Sequence, residues 1–373
     1  MFLALRELRF ARARFGLMGA VVALIAALMV LLSGLADGLV DDGVSGLKRL
    51  PVTSFAFESG VQHDAAFTRS VVDTADAATW TGRTGVTAAA PFGLSLANTE
   101  SDRGVELDLA LFGVEAGSFL APAAARGTGL GSPDGIVVSP TALADGLALG
   151  DTVTVDRIGT RLKVVGVLDA QHTFGHVDVA YLPLRVWQEV HAGLRPGENA
   201  SPRVYEQATA IAVRGEGADL AAADQAAGTE SLTLKESFDA SPGYRAETST
   251  LLLIEVFLYA ISALVVGAFF TVLTIQRKPE IAVMRAMGAP TGHLLRDALA
   301  QALILLLAFV ALGVAVGVGL GAFMDGGGVP FRLAAGSVAG AAALLVALGT
   351  AGALLAVLRI ASVDPLTALG GAR

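Results

Sequence analysis

Four long runs of apolar residues constrain this chain more than any other feature of its sequence. They lie at residues 15–36, 248–276, 298–324 and 333–358. Each is long enough for an α-helix to cross a hydrocarbon core of ~30 Å, which takes about 20 residues. Hydrophobic residues make up 54% of the chain and charged residues only 16%, a more apolar composition than that of a soluble domain. The sequence therefore predicts a membrane protein with four transmembrane α-helices.

The first apolar run also has a feature of a signal peptide. Residues 1–14 contain four arginines, which resemble the basic segment that precedes a signal-peptide core. The run at 15–36 is longer than such a core, however, and no small-residue cleavage site is evident before Asp37. We therefore interpret residues 15–36 as the first span.

Residues 37–247, between the first and second spans, have the mixed composition of a folded domain. Short stretches alternate apolar and polar residues between Gly, Pro and Asp turns, as strands do: VTSFAFES, GVELDLALFGV, DGIVVSP, DTVTVD, RLKVVGVL, VDVAYLPL and ATAIAVRG. Helical patterns occur in AAFTRSVVDTAD, in PLRVWQEVHAGL and in the Ala-rich stretch after Asp219. The sequence predicts a large extracytoplasmic α+β domain inserted between spans 1 and 2, with a hairpin at DTVTVDRIGTRLKVVGVL.

Basic residues predict the orientation of the chain. They are concentrated in the N-terminal segment 1–14, in the loop 277–297 and in the tail 359–373. By the positive-inside rule these three segments are cytoplasmic, so the domain at 37–247 and the turn at 325–332 lie outside. The expected location is a bacterial plasma membrane, with both termini in the cytoplasm.

The composition also excludes several classes of function. The chain has no cysteine, and therefore no disulfide, thiolate metal site or thiol nucleophile. Its formal net charge of −8 argues against a nucleic-acid partner. No GxxxxGK[ST] phosphate loop occurs, so any ATP must bind to another subunit.

Three stretches of the inserted segment resemble chemical sites. His172 and His176 in HTFGH have metal-ligand spacing only on a helix, which Gly175 and the following strand pattern disfavour. The loop GTGLGSPDG lacks the Lys-Ser/Thr pair of a phosphate loop. His63 has no nucleophile near it in the sequence. We therefore predict no catalytic residue and no metal site in these stretches.

Spans three and four carry glycines at helical spacing. Gly313, Gly317 and Gly321 recur in span three, and Gly336 and Gly340 in span four. Such spacing lets helices approach closely in lipid, where no hydrophobic effect drives them together. The glycines predict a closely packed helix pair or a dimer seam. The alternative is that glycine is simply frequent in membrane helices.

A short charged helix is predicted in the cytoplasmic loop, at PEIAVMRAMGAP. Its proline suits the first helical position, Glu280 lies in the first turn, and Gly288 followed by a second proline ends it. Ile281 and Met284 form an apolar ridge beside Arg285. A ridge of this kind must be buried against something.

This stretch carries a family resemblance. QRKPEIAVMRAMGAPTGHLLRDALAQALIL resembles the RxxEIAxxRAxGA signature after the second span of MacB/FtsX-type permeases of ATP-binding cassette (ABC) transporters, and LRIASVDPLTALGG resembles their closing segment. The order of spans and outer domain is also theirs. The resemblance implies a non-catalytic homodimeric subunit that works with two copies of a separate ABC ATPase. It also implies that the residues coupled to the ATPase are Glu280, Ile281, Met284, Arg285 and Gly288.

A narrower resemblance concerns the exit of span one. VLLSGLADGLVDDGVSGLKRL resembles the same region in two branches of the family, the haem exporters of Hrt type and the glycolipid exporters of DevC type. The motif is common to both branches and does not choose between them. The first branch implies haem as a substrate with no permanently bound cofactor, and the second implies a lipid cargo. The likeness to FtsX adds a third alternative, a signalling subunit that controls a cell-wall hydrolase.

Glu255 lies a few residues inside the outer end of span two. A carboxylate in hydrocarbon costs several kcal/mol unless it is protonated, paired or facing a cavity, so by default it marks function. Tyr259 lies one turn further along the same face, and Met29 of span one lies at a similar depth. These side chains are candidate haem ligands, with Phe257 against the porphyrin. The alternative roles are snorkelling or capping for Glu255 and gap filling for Met29.

The sequence thus predicts the permease subunit of an ATP-driven exporter. We expect cargo to enter from the outer leaflet, between spans one and two of both protomers. Closure of the ATPase would then push the cytoplasmic helices and squeeze this seam, so that force is transmitted through the membrane and no pore opens to the cytoplasm.

Overall fold

The computed structural model describes residues 12–276, 283, 287, 290–324 and 330–361. The chain forms two compact units. The first, which we call the membrane unit, comprises Met1–Leu39 and Ser249–Arg373. The second, which we call the inserted domain, comprises Val40–Thr248.

Both units are defined by their helices and strands. The helices are α1 (Arg12–Lys48), α2 (Ala66–Arg69), α3 (Asp76–Thr81), α4 (Pro140–Ala144), α5 (Leu184–His191), α6 (Leu220–Ala227), α7 (Tyr244–Gln276), α8 (Thr291–Met324) and α9 (Ala335–Ala361). The strands are β1 (Ser54–Glu58), β2 (Val72–Asp73), β3 (Val86–Ser101), β4 (Glu106–Val114), β5 (Arg126–Gly127), β6 (Gly135–Val138), β7 (Thr152–Val155), β8 (Arg161–Val167), β9 (Thr173–Phe174), β10 (Val177–Pro183), β11 (Gln207–Ala208), β12 (Ala210–Gly215) and β13 (Thr229–Thr233).

Four helices are long and apolar enough to cross a membrane. Among the described residues these are α1, α7, α8 and α9. The predicted fold class is confirmed: the chain has four long apolar helices, with a large α+β domain between the first two.

All four helices extend beyond the apolar runs, and α1 and α8 do so by the largest number of residues. α1 does not end near residue 36 but continues to Lys48. The reason is that Val44 and Leu47, on its polar final turns, are fully buried in the core of the inserted domain. Similarly, α8 begins at Thr291, within the segment predicted to be the cytoplasmic loop. Hydropathy marks the part of a helix that suits lipid, and it does not mark where the helix ends.

The glycines of α8 pack against α1. A Cβ atom at Gly313 would lie 2.3 Å from the carbonyl oxygen of Ala23, and one at Gly317 would lie 2.8 Å from the Cβ of Val30. Only glycine permits so close an approach of two helix backbones. The close packing predicted for these two glycines is confirmed, and α1 is their partner. For Gly340 on α9, by contrast, a Cβ would meet no described atom within 4 Å.

Glycines at the exit of span one receive the segment that precedes α9. A Cβ at Gly34 would lie 2.4 Å from the ring of Phe331, and one at Gly38 would lie 2.3 Å from the carbonyl oxygen of Pro330. The backbone N–H of Arg332 donates to the carbonyl oxygen of Gly34 at 2.9 Å. The SGLADG stretch therefore has a structural role, because its two glycines let another segment of the membrane unit lie directly on α1.

The inserted domain is built on an 11-stranded mixed sheet. The strand order is β13-β1-β12-β3-β4-β10-β6-β8-β5, with β7 pairing with β3 and β8, and β9 pairing with β10. β10 runs parallel to β4 and β6 runs parallel to β8, whereas the predicted β7–β8 hairpin is antiparallel. β2 and β11 form a separate two-stranded sheet. All seven stretches predicted as strands contain strands.

The longest strand was not predicted from the sequence. β3 has 16 residues, and its first half pairs with β12 while its second half pairs with β4. Three alanines, a proline and a glycine in its centre lower its strand propensity. The predicted helix AAFTRSVVDTAD is also wrong after Arg69, because Val72 and Asp73 form β2.

Two glycines in the centre of the sheet accommodate Trp187. Gly93 of β3 and Gly113 of β4 are directly paired, and a Cβ at either would lie within about 2.5 Å of Trp187 atoms. The indole Nε1 of Trp187 donates to Ser95 Oγ at 3.0 Å. These small residues let α5 lie close to the sheet. A second hydrophobic core of the inserted domain is rich in aromatic rings. There the ring of Phe67 packs edge to face against Phe55 and Phe57, and that of Phe92 packs in the same way against Phe112.

His176 joins the first and last helical turns of the inserted domain. Its Nδ1 lies 3.0 Å from Asp42 Oδ2, and its Nε2 lies 3.1 Å from Glu247 Oε2. Gly175 and His176 both have positive φ, 59° and 66°, as the tight β9–β10 turn requires. The N–H of Gly175 donates to the carbonyl oxygen of Gly43 at 2.9 Å, which places the turn against α1.

The glycine packing predicts a difference between two substitutions on α8. Gly313→Ala should lower the thermal stability of the purified protein in detergent, because the new methyl group would overlap the Ala23 carbonyl. Gly319→Ala, on the same helix, should leave stability unchanged or slightly raised, because a Cβ there meets no described atom within 4 Å and alanine favours helix by about 0.5–1 kcal/mol. Equal melting temperatures for the two variants would contradict the proposed α1–α8 contact.

Candidate cargo site in the membrane helices

The carboxylate of Glu255 is hydrogen-bonded across two membrane helices. Ser33 Oγ of α1 donates to Glu255 Oε1 of α7 at 3.1 Å. Ser33 is 6% exposed, whereas Glu255 is half-buried. A carboxyl group surrounded by apolar helices needs such a partner, because an unpaired charge there costs several kcal/mol.

Tyr259 and Met29 extend this contact by one helical turn. Tyr259 lies four residues after Glu255 on α7 and therefore on the same face of the helix. Met29, four residues before Ser33 on α1, is 3% exposed and belongs to the same apolar cluster against which Tyr259 packs. The three residues predicted from the sequence therefore lie along one α1–α7 contact.

Asp37 adds a second acid group to this face of α1. Met29, Ser33 and Asp37 are spaced four residues apart and so project from one side of the helix. The Oδ2 atom of Asp37 is buried and has no hydrogen-bond partner among the residues that the structure describes. A buried acceptor without a partner is unfavourable, typically by 1–3 kcal/mol, unless something else supplies a donor.

Two other side chains on α7, those of Phe257 and Ser262, have different positions. Phe257 is 60% exposed and lies two residues from Glu255, which is about 200° around the helix, so it faces away from the carboxyl group. Ser262 is fully buried and donates to the carbonyl oxygen of Leu258 at 2.6 Å within its own helix. Neither residue contacts Glu255 in the described structure.

The five residues predicted to couple to the ATPase lie outside the described residues: Glu280, Ile281, Met284, Arg285 and Gly288. Two neighbours in the same stretch are described. Val283 is 54% exposed and Met287 is 75% exposed, and the N–H of Met287 donates to the carbonyl oxygen of Val283 at 3.0 Å. This is one helical turn that presents two apolar side chains.

The histidines of the inserted domain do not form the metal site that their spacing suggests. His172 precedes β9 and is 7% exposed, whereas His176 lies in the turn and contacts two carboxylates. His63 contacts Glu230 at 2.8 Å. Among the described residues no cluster of three or more metal-ligating side chains has the geometry to hold an ion.

Sequence reasoning missed Ser33 and Asp37 as members of the site. Both stand in the SGLADG stretch, where the sequence signal was the four-residue spacing from Met29. That spacing places the residues on one face of α1, but the register between α1 and α7 is set by packing. For this reason, only the structure pairs Ser33 with Glu255.

Two family models match the chain. The model described as MacB-like periplasmic core domain matches residues 16–229, and the model described as FtsX-like permease C-terminal matches residues 246–365. Together they include both helices of the Glu255 contact.

Individual proteins are also similar over the full length. The "Putative hemin transport system permease protein HrtB" of Staphylococcus haemolyticus is 24% identical over 374 residues, which cover 100% of this chain and 99% of that protein. An uncharacterized ABC transporter permease of Mycobacterium tuberculosis is 23% identical over 372 residues, with the same coverage. The periplasmic region of MacB from Actinobacillus actinomycetemcomitans has a solved structure that covers 50% of this chain and 90% of its own, with 14% identity and a TM-score of 0.35.

The burial of Met29 predicts a role in packing that a neighbouring residue does not share. Met29→Ala should lower the free energy of unfolding of the purified protein in detergent by about 2 kcal/mol. This value is at the low end for a buried methionine, because the unfolded helices stay in an apolar detergent environment and not in water. Leu28→Ala should have little effect, because Leu28 is 50% exposed. Melting temperatures measured by size-exclusion chromatography after heating would test this, and equal losses would contradict it.

Proposed function

We propose that this chain, which belongs to the MacB/FtsX-like family of ABC transporter permeases, expels haem, or a similar amphipathic compound, from the membrane. A permease of this family is a non-catalytic, multi-pass membrane subunit, and it requires an ATPase partner. The proposal therefore concerns the cargo, the assembly and the way in which ATP-driven motion reaches the cargo.

The observation that carries the proposal is the polar contact in the membrane unit. Ser33 of α1 donates a hydrogen bond to Glu255 of α7 between apolar helices. Tyr259 lies one turn further along α7, and Met29 lies one turn before Ser33 on α1. Carboxylate, phenol and thioether groups can all coordinate haem iron, and apolar helices can pack against a porphyrin ring. The full-length likeness to hemin permeases from staphylococci supports the same cargo.

Exposed apolar faces on α1 and α7 support a seam for the cargo. Leu24 is 70% exposed on α1, and Leu252 and Val256, which flank Glu255 on α7, are 61% and 55% exposed. We propose that two copies of the chain form a homodimer in which these faces border the seam, and that haem enters it from the outer leaflet. Lipid covers the same faces when the seam is empty.

The apolar turn at Val283 and Met287 supports coupling to the ATPase. Two exposed apolar side chains in a segment predicted to face the cytoplasm would be covered by a partner protein. We propose that this turn, with Glu280, Ile281, Met284, Arg285 and Gly288, inserts into the ATPase and that two ATPase subunits serve the dimer. Closure of the ATPases then moves α7 and α8 and narrows the seam, which is force transmission without a pore.

Two other functions are distinguished by experiment. A glycolipid exporter of DevC type would need the apolar seam but not the Glu255 contact. A signalling subunit of FtsX type would move the outer domain and carry no cargo. Rescue of haem-sensitive cells by this protein with its ATPase, and loss of rescue when the ATPase is disabled, would favour haem export over both. Co-purification of a wall hydrolase would favour signalling.

Haem binding tests the role of Glu255. In a titration of purified full-length protein with haem, Glu255→Ala should weaken binding at least about tenfold and change the Soret band. The substitution removes the carboxylate, which either ligates the iron or accepts a hydrogen bond from a group that does. Ser33→Ala should have a smaller effect, because the carboxyl group remains. Ile254→Ala, at the adjacent and 46% exposed position, is the matched control and should bind haem normally.

Two outcomes of this titration would contradict the proposal. Unchanged binding in Glu255→Ala would remove this residue from the haem site. A wild-type protein that neither binds haem nor rescues haem-sensitive cells would exclude haem as the cargo.

The absence of cysteine makes orientation directly testable. In the cysteine-free chain, Met287→Cys should react with a membrane-impermeant maleimide only after the membrane is opened, whereas Asp102→Cys in the inserted domain should react in intact spheroplasts. Addition of the ATPase should protect the cysteine at 287, because the turn becomes buried. Labelling of that cysteine in intact spheroplasts, or no protection by the ATPase, would contradict the coupling model.

A further inference from the structure

The inserted domain contains a cavity that has no role in the function proposed above. Its volume is about 550 Å³, within the range of small-molecule sites. It lies where α1 ends, between the segment after α1, the loop at 119–125 and the residues that precede β9. Most of its walls are apolar, and its few polar groups converge from three parts of the chain.

The polar groups begin with a buried pair. His172 Nδ1 lies 3.2 Å from the hydroxyl oxygen of Tyr181, and both residues line the cavity. Tyr181 is 1% exposed, and His172 is its only hydrogen-bond partner among the described residues. Burial raises the pKa of Tyr181 well above its usual range, so the phenol keeps its proton.

This pairing fixes what His172 presents to the cavity. The buried hydroxyl proton of Tyr181 needs an acceptor, and the Nδ1 atom of His172 is the one available in the described structure. A neutral imidazole that accepts at Nδ1 carries its hydrogen at Nε2. Burial, and then the nearby positive charge of Arg49, lower the pKa of His172 to about 4, against the opposing effect of Asp169. Near neutral pH, His172 is therefore a neutral donor through Nε2.

Arg49 supplies a positive charge to the lining of the cavity. It follows the last residue of α1 directly, is exposed and lines the cavity, and its guanidinium group forms no ion pair with any described residue. Asp169 also lines the cavity, yet no ion pair joins these two residues in the described structure. The cavity thus offers a cationic group and a neutral donor, both of which suit an oxygen acceptor with negative charge.

The rest of the wall suits an apolar body. Leu50 and Leu168 line the cavity and are buried, and Phe119 lines it as well. The guanidinium group of Arg214 lies 4.7 Å from the ring centre of Phe119, which holds the ring in place. A ligand that is only a small anion would leave this apolar surface uncovered.

We propose that the cavity binds the carboxylate of an amphipathic molecule, with Arg49 and His172 Nε2 donating to the carboxylate and the apolar walls covering its hydrophobic body. Two kinds of molecule share this chemistry, a porphyrin with propionate groups and a fatty acid. In the first case the cavity is a second station for the cargo outside the membrane helices, and that part of the inference rests on the proposed function.

Protoporphyrin without iron tests the site apart from any ligand to haem iron. Full-length protein in detergent should bind the metal-free diacid with a change in fluorescence, and Arg49→Gln should weaken binding at least about tenfold, because a charge-assisted hydrogen bond is lost. Protoporphyrin dimethyl ester, which has the same ring without carboxylates, should bind weakly to the wild type and be insensitive to Arg49→Gln. Arg203→Gln, at another exposed arginine of the domain, is the matched control and should change neither affinity.

Substitutions of His172 separate donation from packing. His172→Gln retains a donor and should lose less affinity for the diacid than His172→Leu. Affinity should also stay constant between pH 6 and 8, because His172 with its lowered pKa stays neutral there. A rise in affinity as the pH falls through 6.5, the usual pKa of histidine, would show that His172 binds as a cation and would overturn the assignment.

Further comparisons separate this site from the membrane site. Arg49→Gln should weaken diacid binding by the same factor in a Glu255→Ala background as in the wild type, so that a failure of the haem proposal does not affect this result. Binding of a fluorescent polyene fatty acid with the same dependence on Arg49, in the absence of diacid binding, would identify the lipid source. Equal affinity of the wild type and Arg49→Gln for both probes, or equal binding of diacid and diester, would overturn the proposal.

Discussion

The close contact of α1 with α8 is the interaction on which the membrane unit depends. Lipid tails are as apolar as the helices, so the helices are held together by packing and not by exclusion of water. Gly313 and Gly317 allow backbone approach, and the resulting interior buries Met29 almost completely. Only after α1 is fixed in this way does Ser33 face Glu255. The polar contact in the membrane is therefore a consequence of where small residues stand on a different helix.

The inserted domain depends on small residues in a similar way. β3 joins the two halves of the sheet because its ends pair with different strands, and the paired Gly93 and Gly113 create the space in which Trp187 lies. A larger side chain at either position would push α5 away from the sheet. In both units, the positions that set the geometry are those with no side chain.

The sequence predicted those features that follow from a single repeating pattern. Apolar length gave the four membrane helices, and alternation gave seven strands, since both are properties of contiguous residues. β3 was missed because its central residues have low strand propensity and are held by pairing on both sides. The extension of α1 to Lys48 was missed because Val44 and Leu47 are buried by the domain, which no local pattern reveals. For the candidate site, Glu255 was recognised by its charge, but its partner Ser33 depends on the register between two helices.

The position of His176 bears on how a domain of this size can interrupt a bundle of membrane helices. Asp42 and Glu247 stand close to the first and last residues of the inserted domain, and one imidazole ring bonds to both. The chain thus enters and leaves the domain at neighbouring points, just as the two ends of a short loop lie close together. An insertion whose ends meet can be gained, exchanged or enlarged in the course of evolution without a new arrangement of the helices that carry it.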